Sequence, residues 1–131
     1  MPLYTVMTPD GFLSCEQRNL IARELVRIHT TINQVPAHFV HSIFLTYPQG
    51  QAYVATDSSP VASILGIIRT GRTPELKTSL IQAIWKMFQD NTGISDSNLS
   101  VALQEVPPSQ AMENGAVMPE VGHEQRHVKT L

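Results

Sequence analysis

The chain opens Met1-Pro2-Leu3-Tyr4, and the proline in second place has the most chemistry to offer. Methionine ahead of a small residue such as proline is a usual substrate for removal of the initiator. Trimming would leave Pro2 with a secondary ring amine in place of an amide. An α-amino group titrates at about 7.7–8.0, and burial or nearby cations lower that value. Such an amine can act as nucleophile or base and move protons near neutrality without metal or cofactor. Many chains begin Met-Pro and make no use of the amine, so other residues must decide.

Arg69 and Arg72 are three apart with Gly71 between them. Their guanidinium forks can close around one anion, and the helix expected to start at Thr73 adds favourable potential for a carboxylate. A solvated basic turn is an equal alternative. His29 falls at the edge of an apolar helix face, where a structural histidine is the default. Glu113 stands in the polar stretch Ala111-Met112-Glu113-Asn114-Gly115 and by itself reads as a surface carboxylate. His123 and His127 are four apart but lack a third ligand, which argues against a metal site. His38 and His41 flank the start of a strand and read as structural. Cys15, the one cysteine, excludes an internal disulfide and a cysteine-based zinc cluster.

The elements that must position these groups follow from periodicity. Leu3–Thr8 reads as a strand, broken by Pro9-Asp10-Gly11. Ser14 with Gln17 makes a capping box, and Leu20, Ile21, Leu25, Ile28 and Ile32 recur at helical spacing to about Asn33. Val35-Pro36 ends that helix, Val40–Tyr47 alternates as a second strand, and Pro48-Gln49-Gly50 closes the unit. The second half repeats the plan: strand Ala62–Ile68, a helix capped by Thr73 with Pro74 in its first turn, and strand Leu99–Glu105. A constant shift of 59 residues carries Ser14 onto Thr73, Leu25 onto Ile84, Val40 onto Leu99 and Pro48 onto Pro107. Under it His29 falls on Phe88, so one half holds a titratable ring where the other is apolar.

Two tandem βαβ units are the economical reading. This is an α/β chain with right-handed crossovers, parallel strand pairs and both helices on one face of a four-stranded sheet. One domain over 1–131 is expected, with βαβ units at about 2–50 and 60–107 and an irregular segment at 108–131. The other sheet face has no helices to cover it, so association through that face is expected. Net charge is −2 (9 basic against 11 acidic residues), which gives no electrostatic signature of nucleic-acid or membrane binding. No apolar run approaches the roughly 18 residues of a membrane span, and residues 1–30 lack a signal-peptide pattern. A cytoplasmic location is expected.

Pro2 at the start, two βαβ units, His29 in the first helix and the Arg69-x-Gly71-Arg72 turn together resemble the tautomerase superfamily. Within it, the chain is most similar to the cis-3-chloroacrylic acid dehalogenase branch. The segments from Glu105-Val106-Pro107 through Met112-Glu113-Asn114-Gly115 to Gly122-His123-Glu124 extend the resemblance.

The resemblance implies a homotrimer that uses no cofactor and acts on a small carboxylate substrate, a 2-oxo acid, its enol or a short unsaturated acid. It implies Pro2 as proton carrier, His29, Arg69 and Arg72 as holders of the substrate carboxylate, and Glu113 as activator of water. The tyrosine that assists water activation in that branch falls here on Ala102, which can neither hydrogen-bond nor polarise water. Proton transfer at an enolisable carbon needs only Pro2 and the cations. The leading expectation is therefore a cofactor-free tautomerase or lyase. A genuine dehalogenase or hydratase, and a non-catalytic interaction protein on the same scaffold, are the alternatives.

Overall fold

A computed structural model describes residues 1–127. Positions 128–131 of the expected C-terminal segment lie outside the described residues. The chain runs β1 (Leu3–Pro9), α1 (Cys15–Asn33), β2 (His41–Tyr47), a small hairpin of β3 (Tyr53–Val54) and β4 (Asp57–Ser58), then β5 (Ala62–Arg69) and α2 (Pro74–Thr92). It ends with β6 (Leu99–Val106) and a second small hairpin of β7 (Met112–Glu113) and β8 (Ala116–Val117).

Local chemistry sets the helix limits. Ser14 Oγ accepts from Gln17 N at 3.1 Å while Gln17 Oε1 accepts from Ser14 N at 2.9 Å, satisfying two donors that helix geometry leaves unpaired. Thr73 Oγ1 accepts from Leu76 N at 3.2 Å at the start of α2. Both helices end on a left-handed residue, Gln34 (φ 55°) and Gly93 (φ 71°), which stops the ladder and turns the chain back. Gln17 Nε2 donates to Asn91 O at 3.0 Å, so the start of α1 lies beside the end of α2.

The four long strands form one sheet in the order β2-β1-β5-β6. β1 pairs parallel with β2 and β5 parallel with β6, while the central pair β1–β5 is antiparallel, Leu3 facing Ile67 and Met7 facing Ser63. The two expected βαβ units are thus present and joined back to back. Tyr4, Val6, Ala62 and Ile64 point to the helices and meet Ile21, Leu25, Leu80, Ile84 and Phe88 in the main core. On the other face, Ile43, Leu45, Met7 and Leu65 are exposed, as the missing helical layer implies.

Two corrections concern the hairpins. The segment after Pro107 is not irregular throughout: it holds a 3-10 turn (Pro108–Gln110), β7–β8, and a second 3-10 turn (Glu124–Arg126). The hairpin at 53–58 has no counterpart in the strands read from sequence, yet the 59-residue shift carries it onto β7–β8. Two-residue strands are too short for an alternating pattern to register. The Asn114-Gly115 turn, with φ of 54° and 81°, is the sequence signal that marks the second one.

Candidate active site

Because β1 and β5 are antiparallel, the start of β1 and the end of β5 share one end of the sheet. That topology brings the chain's first residues beside Arg69, the last residue of β5. Pro2 is fully buried, and its carbonyl accepts from His41 N at 3.0 Å. The Met1 amine contacts Glu113 Oε1, across a sequence gap of 112 residues. The other oxygen, Glu113 Oε2, lies 3.2 Å from His41 Nδ1. The hairpin β7–β8 therefore serves to hold Glu113 over the N-terminus.

The amine's proton affinity is low. Burial first, and the Arg69 charge second, bring it from 8.0 down to about 5. A cation is disfavoured where water cannot reach it and another cation stands near. Burial and the Arg69 charge thus favour the unprotonated amine, against the pull of the Glu113 carboxylate beside it.

Arg69 is 3% exposed. Its Nη1 donates to Pro119 O at 2.8 Å and its Nη2 to Glu124 Oε1 at 2.9 Å, and its guanidinium stands 5.5 Å from the centre of the Phe39 ring. Arg72 Nη2 is 3.8 Å from the same Glu124 oxygen. Burial, then the Arg69 charge, lower the proton affinity of Arg72, partly offset by Glu124. Burial alone would raise Glu124, but hydrogen bonds from Arg69 and Gly122 N and the Arg69 charge hold it below its usual value. The two arginines expected around one anion are thus brought together, with Glu124 already between them. Two guanidinium groups against one carboxylate leave one positive charge for a ligand.

His29 fits the default reading of a structural histidine. It is 3% exposed, with Nδ1 2.7 Å from the Tyr4 hydroxyl and Nε2 3.2 Å from Asn33 Nδ2. Burial, then the charges of Arg72, the N-terminus and Arg69, lower its pKa to about 3. The ring is neutral, so it adds no cation to the arginines. Tyr4 can donate or accept, which fits either tautomer. Gly66 makes room for this contact: a Cβ there would stand 2.6 Å from Tyr4 Cε1.

No signal in the sequence marks Tyr4 or Phe39 or assigns a role to Glu124, and His41, which reads there as structural, instead lies against Glu113. The spacing of His29 and Asn33, four apart on α1, was the available signal for that pair. Ala102 is exposed on β6, opposite Leu65. A cavity of about 220 Å³ adjoins Glu113 and is lined also by His38, Phe39, His41, Asn114 and His127. A larger one, about 460 Å³, lies at the opposite end of the sheet among Pro9–Phe12, Tyr47 and Ser58–Pro60. Its only charged liner is Asp10, so size is no guide to the chemistry here. Among the described residues no group of three or more His, Cys, Asp or Glu side chains could hold a metal ion, and no helix is long and apolar enough to cross a membrane.

A family model described as "Putative oxalocrotonate tautomerase enzyme" matches residues 1–130. Among solved structures, native Ps01740 is 34% identical, with a TM-score of 0.82 over 85% of this chain and 99% of that one. N1, a member of the cis-3-chloroacrylic acid dehalogenase family, is 29% identical with a TM-score of 0.90, covering 94% of this chain and 87% of its own. A fused 4-OT symmetric trimer shares the fold at a TM-score of 0.82 and 20% identity, over 92% and 98% of the two chains. No curated protein matches the sequence.

Proposed function

The chain belongs to the tautomerase superfamily, in the family described as oxalocrotonate tautomerase enzymes, and from that premise we propose a cofactor-independent enzyme that moves protons on small 2-oxo or unsaturated carboxylic acids. Pro2, freed by loss of Met1, is the proton carrier. The observation that carries this reading is the meeting, at one end of the sheet, of the N-terminal amine, Arg69 and Glu113. Burial and the Arg69 charge lower the Met1 amine to about 5, and the same two causes favour the free base of Pro2 after trimming.

In the proposed reaction the substrate carboxylate takes the unbalanced positive charge of Arg69 and Arg72. Neutral Pro2 removes a proton from the enol oxygen or the carbon next to the carbonyl. The electron pair left behind moves into the conjugated system, where the arginines stabilise the developing oxyanion. Protonated Pro2 then returns the proton at another carbon, completing a 1,3- or 1,5-shift. His29 stays neutral, bound to Tyr4 and Asn33. A trimer packed through the exposed sheet face is part of the proposal.

One observation favours a second reading. The Glu113–His41 pair can hold and polarise a water molecule where Ala102 cannot. Hydration or dehalogenation would then start from protonated Pro2. Two assays separate the readings: ketonisation of phenylenolpyruvate and halide release from cis-3-haloacrylate. With Met1 removal checked by intact mass, Pro2→Ala should lower the proton-transfer rate by about 10²–10⁴-fold. Full activity in Pro2→Ala, or in protein that keeps Met1, would falsify the proposal.

A further inference from the structure

Trimming exchanges the Met1–Pro2 bond for an N–H and a lone pair that flank its old direction, so whatever Pro2 acts on approaches through the space about that bond. Reacting atoms must come within about 3–3.5 Å, so the volume that Met1 fills is the volume a substrate enters. Met1 does not extend into solvent. Its side chain is 12% exposed and packs, beside Val40 and Ala111, against a buried apolar cluster of Val35, Phe39 and Met118. That cluster is separate from the main core. It sits where the carboxylate anchor ends, since one face of the Phe39 ring carries the Arg69 guanidinium. Phe39 and Glu113 also border the cavity of about 220 Å³.

We infer that the place of the Met1 side chain becomes, after trimming, an apolar subsite for the end of the substrate remote from its carboxylate. The preferred substrates are then monocarboxylates bearing an uncharged alkyl or aryl group, over unsubstituted acids and over dicarboxylates. The inference rests on the proposal that Pro2 is the working amine. A thioether chain and a phenyl ring have comparable reach, and the adjoining cavity admits the wider ring. A second carboxylate in that place would lose its water among Val35, Phe39 and Met118, and would meet the like charge of Glu113. The Arg69 guanidinium on the Phe39 ring is already engaged by Pro119 O, Glu124 and the first carboxylate. Burying an unpaired charge is costly.

Binding of unreactive acids tests this without turnover. Calorimetry on Met1-free protein would compare 3-phenylpropanoate, propanoate and butanedioate, with Met1-retaining protein as the control. The phenyl acid should bind at least roughly tenfold tighter than propanoate, a difference of ~1.4 kcal/mol, and butanedioate no tighter than propanoate. The preference should vanish when Met1 is present. A ratio below tenfold, tighter butanedioate, or an undiminished preference with Met1 in place overturns the subsite. The same trimmed protein assayed with phenylenolpyruvate keeps the two claims apart. Selective binding without turnover sinks the catalytic reading alone, whereas turnover with no selectivity sinks the subsite alone.

Discussion

Replacing Arg69 with glutamine should move the acid limb of the pH profile upward without abolishing it. The amine at the chain's start is held at about 5 against an ordinary 8.0, burial being the larger cause and the Arg69 charge the second. After trimming the amine belongs to Pro2, itself fully buried, and burial and the Arg69 charge should lower it in the same direction. At pH 7 an amine titrating at 8 is roughly 9% neutral and one titrating at 5 roughly 99% neutral, a tenfold difference in available base. Glutamine removes the charge and leaves the burial, so the limb should settle above the wild-type limb and below 8.0. Loss of base at pH 7 is then at most about tenfold. Any further loss is weakened carboxylate binding, which belongs in KM, and lost stabilisation of the developing oxyanion, which belongs in kcat. The assay is phenylenolpyruvate ketonisation from pH 4 to 9, where kcat/KM reports the free enzyme's base. A limb that stays in place or falls in Arg69→Gln, or a wild-type limb already at 8, refutes the electrostatic argument.

Glu124→Gln leaves the buried Arg69 charge without its partner and should cost about 3 kcal/mol at neutral pH. Glu124 is held below 4.5, so its contribution is present above that value and is lost as pH falls through the folded pKa; urea unfolding at several pH values should show the gap to wild type closing in acid. Tyr4→Phe removes the partner of His29 Nδ1 and should cost about 1–3 kcal/mol in the same measurement, whereas a loss under about 0.5 kcal/mol would mean the bond is inconsequential. Light scattering should find a trimer for the wild type and smaller species for Leu65→Lys, because Leu65 lies in register with Thr5, Ile43 and Ala102 across the exposed sheet face. A monomeric wild type would contradict that assignment.

What could be read in the sequence is what short-range chemistry decides. Ser14 with Gln17, Thr73 with Pro74, and the apolar faces of both helices each state their structure within a few residues, and the repeat followed from them. The site is different in kind. Met1 meets Glu113 and Arg69 meets Glu124 across gaps of 112 and 55 residues, and no local pattern encodes such a meeting. Arg69 and Arg72 were legible as a possible pair because they are neighbours. That a carboxylate from the tail already stands between them was not. His29 was legible as an exception on its helix face, but its neutrality was not, since that follows from the burial and charges around it.

The repeat also explains why the proposed reaction fits only one end of the sheet. A back-to-back pair of βαβ units has two equivalent ends, each where one half's first strand begins and the other's ends. The 59-residue shift sets Pro2 against Val61, His29 against Phe88, Arg69 against Asp10, Arg72 against Leu13 and Glu113 against Val54. Every group proposed to act is replaced at the far end by one that cannot. Val61 has only a peptide nitrogen, Phe88 and Leu13 join the core, and Asp10 would repel the carboxylate that Arg69 attracts. The far end keeps a cavity, about 460 Å³, because the backbone repeats; it has lost the chemistry because the side chains do not. Had the amine alone made the site, mid-chain Val61 would be its sole defect, yet four further substitutions remove the cations, the ring and the carboxylate together. The proposed groups thus stand or fall as a set, which is what a reaction needing an anion clamp beside a neutral base requires.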